Sequence, residues 1–239
     1  MAKQKRRPMP VVPPPMKSRK RARHITTAFH KLTKEAAELR GGGGGGGSGG
    51  APSAGDRDER LQLVERALEG LGGRQAYQSA SLLSVSYHNT SRWVTQRLTA
   101  MGLRPGQGQP QLRVLEVGAI NTRLLDIPWL DVRAIDLRSQ HPRIEERDFF
   151  ALPAAHAFDV VVSSMVLNCV PTPELRGRML RLYRRHLRPG GHLFLMLPLL
   201  CLTNSRHTTR SEFEALLEGV GLRVVARKET PRVAFFCAR

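Results

Sequence analysis

The chain has 239 residues, enough for one core domain of ordinary size with appendages. It carries 38 Lys and Arg residues against 20 Asp and Glu residues, a net charge of +18. This excess predicts a polyanionic partner, and nucleic acid is favoured over an acidic membrane surface. The longest apolar run, residues 193–202, has ten residues and contains Pro198, whereas a membrane helix needs about 20, so we expect a soluble protein. Three widely spaced cysteines predict a reducing compartment, with neither a disulfide framework nor a metal cluster.

The N-terminal segment, residues 1–55, is predicted to be an appendage. Its first 40 residues carry a net charge of +10 and hold a proline-rich run from Pro8 to Pro15, which favours an extended chain. The basic cluster at residues 17–23 is typical of a nuclear or nucleolar address or a phosphate-binding arm, although a merely solubilising tail remains open. Helical spacing of apolar residues predicts a short helix over residues 23–40, and seven glycines from Gly41 then predict a flexible linker.

Residues 56–110 are predicted to form an N-terminal helical extension. An apolar face starts at Leu61, and a later helix from Thr90 to Met101 should turn Trp93, Val94 and Leu98 inward. Trp93 is expected to fill the core rather than to stack on a base. These helices could close the open side of a cofactor site or simply cover a sheet edge, and the sequence leaves both open.

The next stretch, residues 113–136, predicts the front half of a nucleotide-type βαβ unit. One apolar strand contains Glu116 and ends at Gly118, and a second ends at Asp136, whose carboxylate can accept hydrogen bonds from both ribose hydroxyls. The G-x-G-x-x-G pattern of a pyrophosphate cradle is missing, because Ile120 and Thr122 follow instead. S-adenosylmethionine, which has no phosphates, therefore fits better than NAD, although a buried turn that binds nothing is the alternative.

The remaining elements predict a mostly parallel sheet. Asp148 should lie at the tip of a third strand beside the cofactor's adenine, and a fourth strand covers residues 158–164. A helix over residues 173–186, a fifth strand over 192–197, a loop over 199–211, a helix over 211–219 and a terminal hairpin of strands 222–227 and 232–238 follow. We therefore expect, over residues 111–239, an α/β class I (Rossmann-like) methyltransferase sheet with one antiparallel strand.

Several blocks of this sequence resemble a known family: LEVGAIN, DVRAIDLRSQHP, DFF, SSMVLNCVP, LRPGGHLFLMLPL and CLTNSRH. They are similar to the fungal nucleolar 25S rRNA adenine-N(1) methyltransferases and to an animal relative, the S-adenosylmethionine sensor of the TOR pathway. The resemblance implies S-adenosylmethionine as cofactor, with Gly118 and Asp136 at its site. With the strand positions read above, the expected cofactor-binding residues are Glu116, Gly118, Asp136, Asp148 and Ser164.

Chemistry at an adenine ring nitrogen calls for hydrogen-bonding groups rather than a catalytic triad, since that nitrogen already carries a lone pair. Asn168 is the candidate catalytic residue, because its amide can accept from the exocyclic amine and donate to a ring nitrogen; a turn residue is the alternative. Cys169 is expected to pack rather than to react. Asn204, Arg206 and His207 are candidates for binding substrate, with a helix N-terminal turn as the alternative.

The predicted function is S-adenosylmethionine-dependent methylation of an adenine N(1) in 25S rRNA, in the nucleus and nucleolus. The predicted partner is 25S rRNA or the pre-60S particle, with no membrane, no metal and a monomeric state. The rival prediction is a cofactor-sensing regulator without catalysis, which would need the same pocket but not a net charge of +18.

Overall fold

The computed structural model describes residues 18–41, 54–74, 76–77, 79–80, 90–139, 141–154, 156–205 and 208–239. The prolines of the tail and the glycine run after Gly41 lie outside the described residues, and so do the expectations for them. The chain divides into two compact units, Met1–His88 and Asn89–Arg239. Within the described ranges no helix combines the length and the apolar character that a membrane span requires.

The first unit is helical and contains α1 (Arg19–Arg40) and α2 (Ala54–Gly70). The predicted helix at residues 23–40 is present but begins four residues earlier, because the Ser18 hydroxyl accepts a hydrogen bond from the Arg21 N–H and caps the helix. The basic cluster of the tail therefore extends into the first turns of α1. Two surface ion pairs join the helices: Arg40 with Glu65 and Arg60 with Glu35, both at 2.6 Å.

The second unit starts with a helix, α3 (Thr90–Ala100), and continues with the sheet and its helices. The described strands are β1 (Leu112–Val117), β2 (Leu130–Asp136), β3 (Glu145–Glu146), β4 (Phe158–Ser164), β5 (Leu187–Pro198), β6 (Val224–Glu229) and β7 (Val233–Ala238). The further described helices are α4 (Pro173–His186), α5 (Leu200–Thr203) and α6 (Arg210–Gly219), with 3-10 turns at Phe149–Ala151 and Leu167–Cys169.

The seven described strands form one sheet in the order β3-β2-β1-β4-β5-β7-β6. β1 pairs in parallel with β2 on one side and β4 on the other, and β7 runs antiparallel to both β5 and β6. The predicted sheet, mostly parallel with one antiparallel strand, is confirmed.

The loop predicted over residues 199–211 contains α5 (Leu200–Thr203), and the first strand of the hairpin is Val224–Glu229 rather than 222–227. Two more predicted strand boundaries are wrong. The third strand ends at Glu146, and Asp148 instead caps the following 3-10 turn by accepting the Phe150 N–H at 2.9 Å, a local bond that competes with strand pairing. The fifth strand begins at Leu187 rather than His192, because the chain enters β5 directly after α4. An irregularity in the β4–β5 pairing absorbs the intervening residues, among them Gly190 at φ +78°.

The sheet has an apolar layer on each face. On one face, here called the α3 face, the predicted inward residues Trp93, Val94 and Leu98 pack with Phe194 and Phe235, and Trp93 lies in the core as expected. On the other face, the α4 face, residues of the helices α4 and α6 pack on strand residues. The strand residues are Leu115, Val161, Leu193 and Leu195, and the helix residues are Met179, Leu180, Tyr183, Phe213 and Leu217. From Val160 onward in β4, and along β1, strand alternation thus assigns each residue to one of the two faces; Phe158, before the irregularity, packs on the α4 face.

One buried hydrogen bond ties α4 to the sheet. The hydroxyls of Ser163 on β4 and Tyr183 on α4 are 2.7 Å apart, and both residues are fully buried. Burial raises the pKa of the Tyr183 phenol well above its usual range, so the group stays neutral. The bond fixes the height of α4 against the carboxyl end of β4.

Tyr183→Phe should lower the free energy of unfolding by about 1–2 kcal/mol, because the Ser163 hydroxyl would be left buried without its partner. Urea unfolding measures the loss. Ser163→Ala should cost a similar amount, and the double variant less than the sum of the two. Additive losses would contradict a direct bond.

Candidate active site

The site is at the carboxyl edge of the sheet, where β1 and β4 lie side by side. After β1 the chain continues to β2 and β3 on one side of the sheet, and after β4 it continues to β5 on the other side. The connections that follow β1 and β4 therefore lead in opposite directions. In open α/β sheets such a reversal of strand order opens the crevice in which ligands bind.

Three buried polar atoms lie at this edge, and none has a hydrogen-bond partner among the residues that the structure describes. They are Glu116 Oε2 near the end of β1, Ser164 Oγ at the end of β4, and Asn168 Oδ1 in the 3-10 turn that follows. Glu116 pairs with Val162, two residues before Ser164, so both side chains belong to the α3 face. Buried polar atoms nearly always have partners, so the cluster indicates a ligand site.

Glu116 carries the strongest electrostatic signal at this edge. Burial raises the pKa of its carboxyl to about 8, because the charged form loses its hydration there. Its neighbour on the same face of β1 is the buried Val114, and Ala134 on β2 and Val162 on β4 lie beside it in register. A cationic group placed against Glu116 would restore the carboxylate.

Both the backbone conformation at Gly118 and the limited space beside it require a glycine. Its φ is +75°, and a Cβ built on it would lie 2.3 Å from Val166 Cγ2. The N–H groups of Gly118 and Ala119 both donate to the Ile135 carbonyl, at 2.8 and 2.9 Å. The glycine therefore makes the turn after β1 and admits Val166, a contact that sequence reasoning missed because it depends on the loop after β4.

Asp136 and Asp148 stand where the next two elements meet the same edge. Asp136 ends β2, and its Oδ1 accepts the Arg138 N–H at 2.8 Å, which orients the carboxylate. In the parallel register of β1 and β2, Glu116 pairs with Ala134, so Gly118 and Asp136 follow on the same face. Asp148 caps its turn just beyond β3.

The loop after β4 places Asn168 by an uncommon backbone. Met165 has φ +60°, a left-handed conformation that is costly for a side chain of this kind, and its N–H donates to the Met196 carbonyl. The Cys169 thiol donates to the Met165 carbonyl at 3.0 Å, and the residue is half-buried; its packing role stays a prediction. The strain at Met165 left no mark in the sequence pattern.

Of the predicted substrate-binding residues, Asn204 is described, and Arg206 and His207 lie outside the described residues. Asn204 is exposed at the C-terminal end of α5, which follows β5 at the same carboxyl edge. The helix N-terminal turn considered for this loop is at Thr209, whose hydroxyl accepts the Glu212 N–H in a capping box.

The buried cluster fits S-adenosylmethionine. The ammonium of its methionine part would supply the positive charge that the buried Glu116 carboxyl has no partner for within the described residues. Its two ribose hydroxyls can donate hydrogen bonds to Asp136. Its carboxylate can accept a hydrogen bond from the Ser164 hydroxyl. The absence of a glycine-rich phosphate cradle around Gly118 agrees with a cofactor that has no phosphates.

The strand order, the single antiparallel strand and the polar crevice between β1 and β4 define a class I methyltransferase fold. A solved structure with this fold is the 1,6-didemethyltoxoflavin-N1-methyltransferase of Burkholderia thailandensis, which holds 1,6-didemethyltoxoflavin and S-adenosylhomocysteine. It superposes with a TM-score of 0.55 at 16% identity, over 80% of this chain and 92% of that one. At that identity the likeness concerns the fold.

Sequence comparison identifies the family. Residues 62–239 match the family described as "25S rRNA (adenine(2142)-N(1))-methyltransferase, Bmt2", and the chain belongs to it. The Saccharomyces cerevisiae 25S rRNA (adenine(2142)-N(1))-methyltransferase is 26% identical over 74% of this chain, which spans about half of that relative (54%). The Schizosaccharomyces pombe 25S rRNA adenine-N(1) methyltransferase is 28% identical over 92% of this chain and 80% of its own length. The predicted family is confirmed.

Gly118→Ala should destabilise the protein by about 1–3 kcal/mol from the left-handed backbone, with a further loss from the clash with Val166. Chemical denaturation measures both parts. Gly190→Ala is the matched control, because Gly190 shares the positive φ but a Cβ there meets nothing closer than 3.5 Å. Adding Val166→Ala should recover only the clash. Equal losses for the two glycine variants would contradict a steric role for Val166.

Glu116→Gln should stabilise the cofactor-free protein by about 1–3 kcal/mol at pH 8. Glu116 ionises near pH 4.5 when unfolded but only near pH 8 when folded, so the wild type loses stability between these values and the neutral amide does not. Urea unfolding at pH 4.5 and 8 should show the gain at the higher pH alone.

The control for this prediction is Glu212→Gln. Hydrogen bonds with Thr209 lower the pKa of Glu212, so that substitution should not stabilise at pH 8. A Glu116→Gln gain that is equal at both pH values would show that the carboxyl is not the cause.

Proposed function

We propose that this protein transfers a methyl group from S-adenosylmethionine to N(1) of an adenine in 25S rRNA. Membership of the family supports the reaction, and the unpartnered buried cluster of Glu116, Ser164 and Asn168 supports its location. That cluster carries the proposal, because it joins an anionic group, a hydroxyl and an amide in the crevice where this fold binds ligands.

Four residues would hold the cofactor. Glu116 faces its ammonium, Asp136 its ribose hydroxyls, Asp148 its adenine amine and Ser164 the methionine carboxylate. Asp136 is suited to this task because the Arg138 N–H already fixes one of its oxygens. The apolar Val114, Ala134 and Val162, which lie beside Glu116 on its face of the sheet, limit the water that could compete with these contacts.

Asn168 would position the adenine. When bound, the cofactor supplies an electrophilic methyl group on a sulfonium. That methyl group would be taken up by the N(1) lone pair, the carbon–sulfur bond would break to leave a neutral thioether, and the positive charge would pass to the adenine. The Asn168 Oδ1 accepts a hydrogen bond from the exocyclic amine and orients N(1) in line with the methyl group. The base must be unpaired or flipped to reach this edge.

The net charge of the chain suggests both its binding partner and its location in the cell. A net charge of +18 suits the rRNA backbone, and we propose the pre-60S particle as the substrate assembly and the nucleolus as the location. The basic cluster that runs into α1 supports such an address. No metal ion is needed for the transfer, and a monomer presents the whole site.

A cofactor-sensing regulator is the second candidate, because the same cluster would hold the cofactor without any transfer. The two candidate functions differ in what they require of Asn168. A sensor has no use for an amide oxygen kept unpartnered beside the cofactor, whereas an adenine methyltransferase does.

The test is tritium transfer from methyl-labelled cofactor to an unmodified 25S rRNA transcript, with the product mapped by reverse-transcription stops. Wild-type protein should place one stop at an adenine. Asn168→Ala should lower kcat on the order of 10- to 100-fold, since the base loses its orientation, with little change in cofactor affinity by calorimetry. Asp136→Ala should lower cofactor affinity about 10- to 150-fold through the lost ribose bonds. Tight cofactor binding without transfer to RNA would replace the enzyme with the sensor.

A further inference from the structure

The outer surface of α4 carries a stripe of arginines that the cofactor site does not use. Arg178, Arg181 and Arg185 are exposed, and their spacing of three, four and seven residues puts them within one narrow sector of the helix. The opposite side of α4 is buried: Met179, Leu180, Leu182, Tyr183 and His186. The stripe spans about 10 Å along the helix axis.

These three arginines make no ion pair within the described part of the chain. Several other exposed arginines on the same unit do have acidic partners: Arg133 and Arg147 with Glu145, Arg143 with Asp126, Arg210 with Glu229, and Arg227 with Glu214. The α4 stripe is therefore a concentration of uncompensated positive charge. Like charges at these spacings cost a helix about 0.2–0.5 kcal/mol for each pair.

Helix electrostatics account for part of this pattern only. Cations in the last turn of a helix interact favourably with its dipole, which suits Arg185. Arg178 and Arg181 lie in the middle of α4, where the dipole provides no such benefit. The helix dipole therefore does not explain the charge of these two residues.

Gly177 on the same surface is also unexplained by the fold. Glycine within a helix costs about 0.5–1 kcal/mol relative to alanine. A Cβ at this position would meet Arg181 Nη1 at an ordinary 3.7 Å, so packing does not demand glycine. Its effect is to leave the helix backbone bare beside the arginines, where a bulky anion could approach.

The stripe also begins close to the candidate active site. The Arg178 guanidinium lies 5.3 Å from the centroid of the Phe150 ring, and the Phe150 N–H is the group that Asp148 caps. At the start of α4, Arg176 donates to the Pro171 and Thr172 carbonyls in the connection that follows Asn168. The arginines thus run from Arg178, near the carboxyl edge of the sheet, back along α4 to Arg185, which is near the starts of β4 and β5.

We propose that this stripe, Arg178, Arg181 and Arg185, docks the phosphodiester backbone of the substrate RNA next to the target adenine. The inference rests on the proposed function and adds to it a binding surface on the folded unit, separate from the basic tail. Guanidinium groups bind phosphates bidentately, which suits a stripe built of arginine without lysine. Backbone contacts of this kind position the RNA and leave the choice of adenine to other residues.

The test uses Arg181→Gln/Arg185→Gln in the full chain and leaves Arg178 in place to preserve its stacking on Phe150. Its matched control is Arg104→Gln/Lys228→Gln, which removes the same charge from cations lying over Trp129 and Phe235 on the α3 face. Fluorescence anisotropy measures affinity for a labelled 25S rRNA transcript at 50 to 300 mM KCl, and calorimetry measures affinity for the cofactor.

The stripe variant should lower RNA affinity about 10- to 50-fold at 0.1 M salt. The slope of log affinity against log salt concentration should become less steep by about 1.4–1.8. The control should change both much less, and cofactor affinity should stay the same in both variants. Equal slopes in the two variants, or no binding of RNA by the wild type, would overturn the docking surface. Because binding is measured without catalysis, wild-type protein that binds RNA along this stripe but transfers no methyl group would contradict the proposed reaction alone.

Discussion

The site depends on a carboxyl oxygen that is buried without a partner among the residues that the structure describes. Glu116 stands near the end of the central strand β1, with an apolar layer beneath it, and burial raises its pKa to about 8. A protein gains nothing in stability from such a placement, because the neutral acid still forgoes its hydrogen bonds. The arrangement makes sense as preparation for a cation that arrives with a ligand. The Ser164 hydroxyl and the Asn168 Oδ1, which also lack partners among the described residues, extend this preparation from β1 to β4 and the turn that follows it.

The order of strands turns these separate residues into one site. Glu116 and Ser164 are 48 positions apart in the chain, yet β1 and β4 pair directly, because the first half of the sheet grows outward from β1 and the second half restarts beside it. The crowded contact between Gly118 and Val166 closes the two connections against each other. The bond between Ser163 and Tyr183 then seats α4, so that the cofactor crevice and the arginine stripe belong to one rigid frame.

Much of the second unit was readable from local pattern. The helix α4 and the strand β4 have the predicted bounds, and the terminal hairpin supplies the antiparallel strand, because hydrophobic periodicity and turn residues act within a few positions. The pattern was misleading where one residue could serve two structures. Asp148 was predicted at the tip of a strand and instead caps a 3-10 turn, and residues 187–191, predicted to lie outside the fifth strand, form its irregular start. The connection from β1 to β2, residues 118–129, consists of turns rather than the crossover helix usual in such units, with Leu124 buried among them.

The sequence by itself determined the alternation of strands and helices, the acids at the strand ends, the poverty of glycines that argues against a phosphate cradle, and the excess of positive charge. These are properties of composition and short-range order. Only the tertiary structure decided which polar atoms are buried without partners in the described part of the chain, and that Val166 occupies the space beside Gly118. It also decided that none of the acids it describes pairs with the arginines of the α4 stripe. Each of these depends on residues that lie far apart in the chain and meet only when the sheet is assembled, and burial and pairing are properties of that assembly.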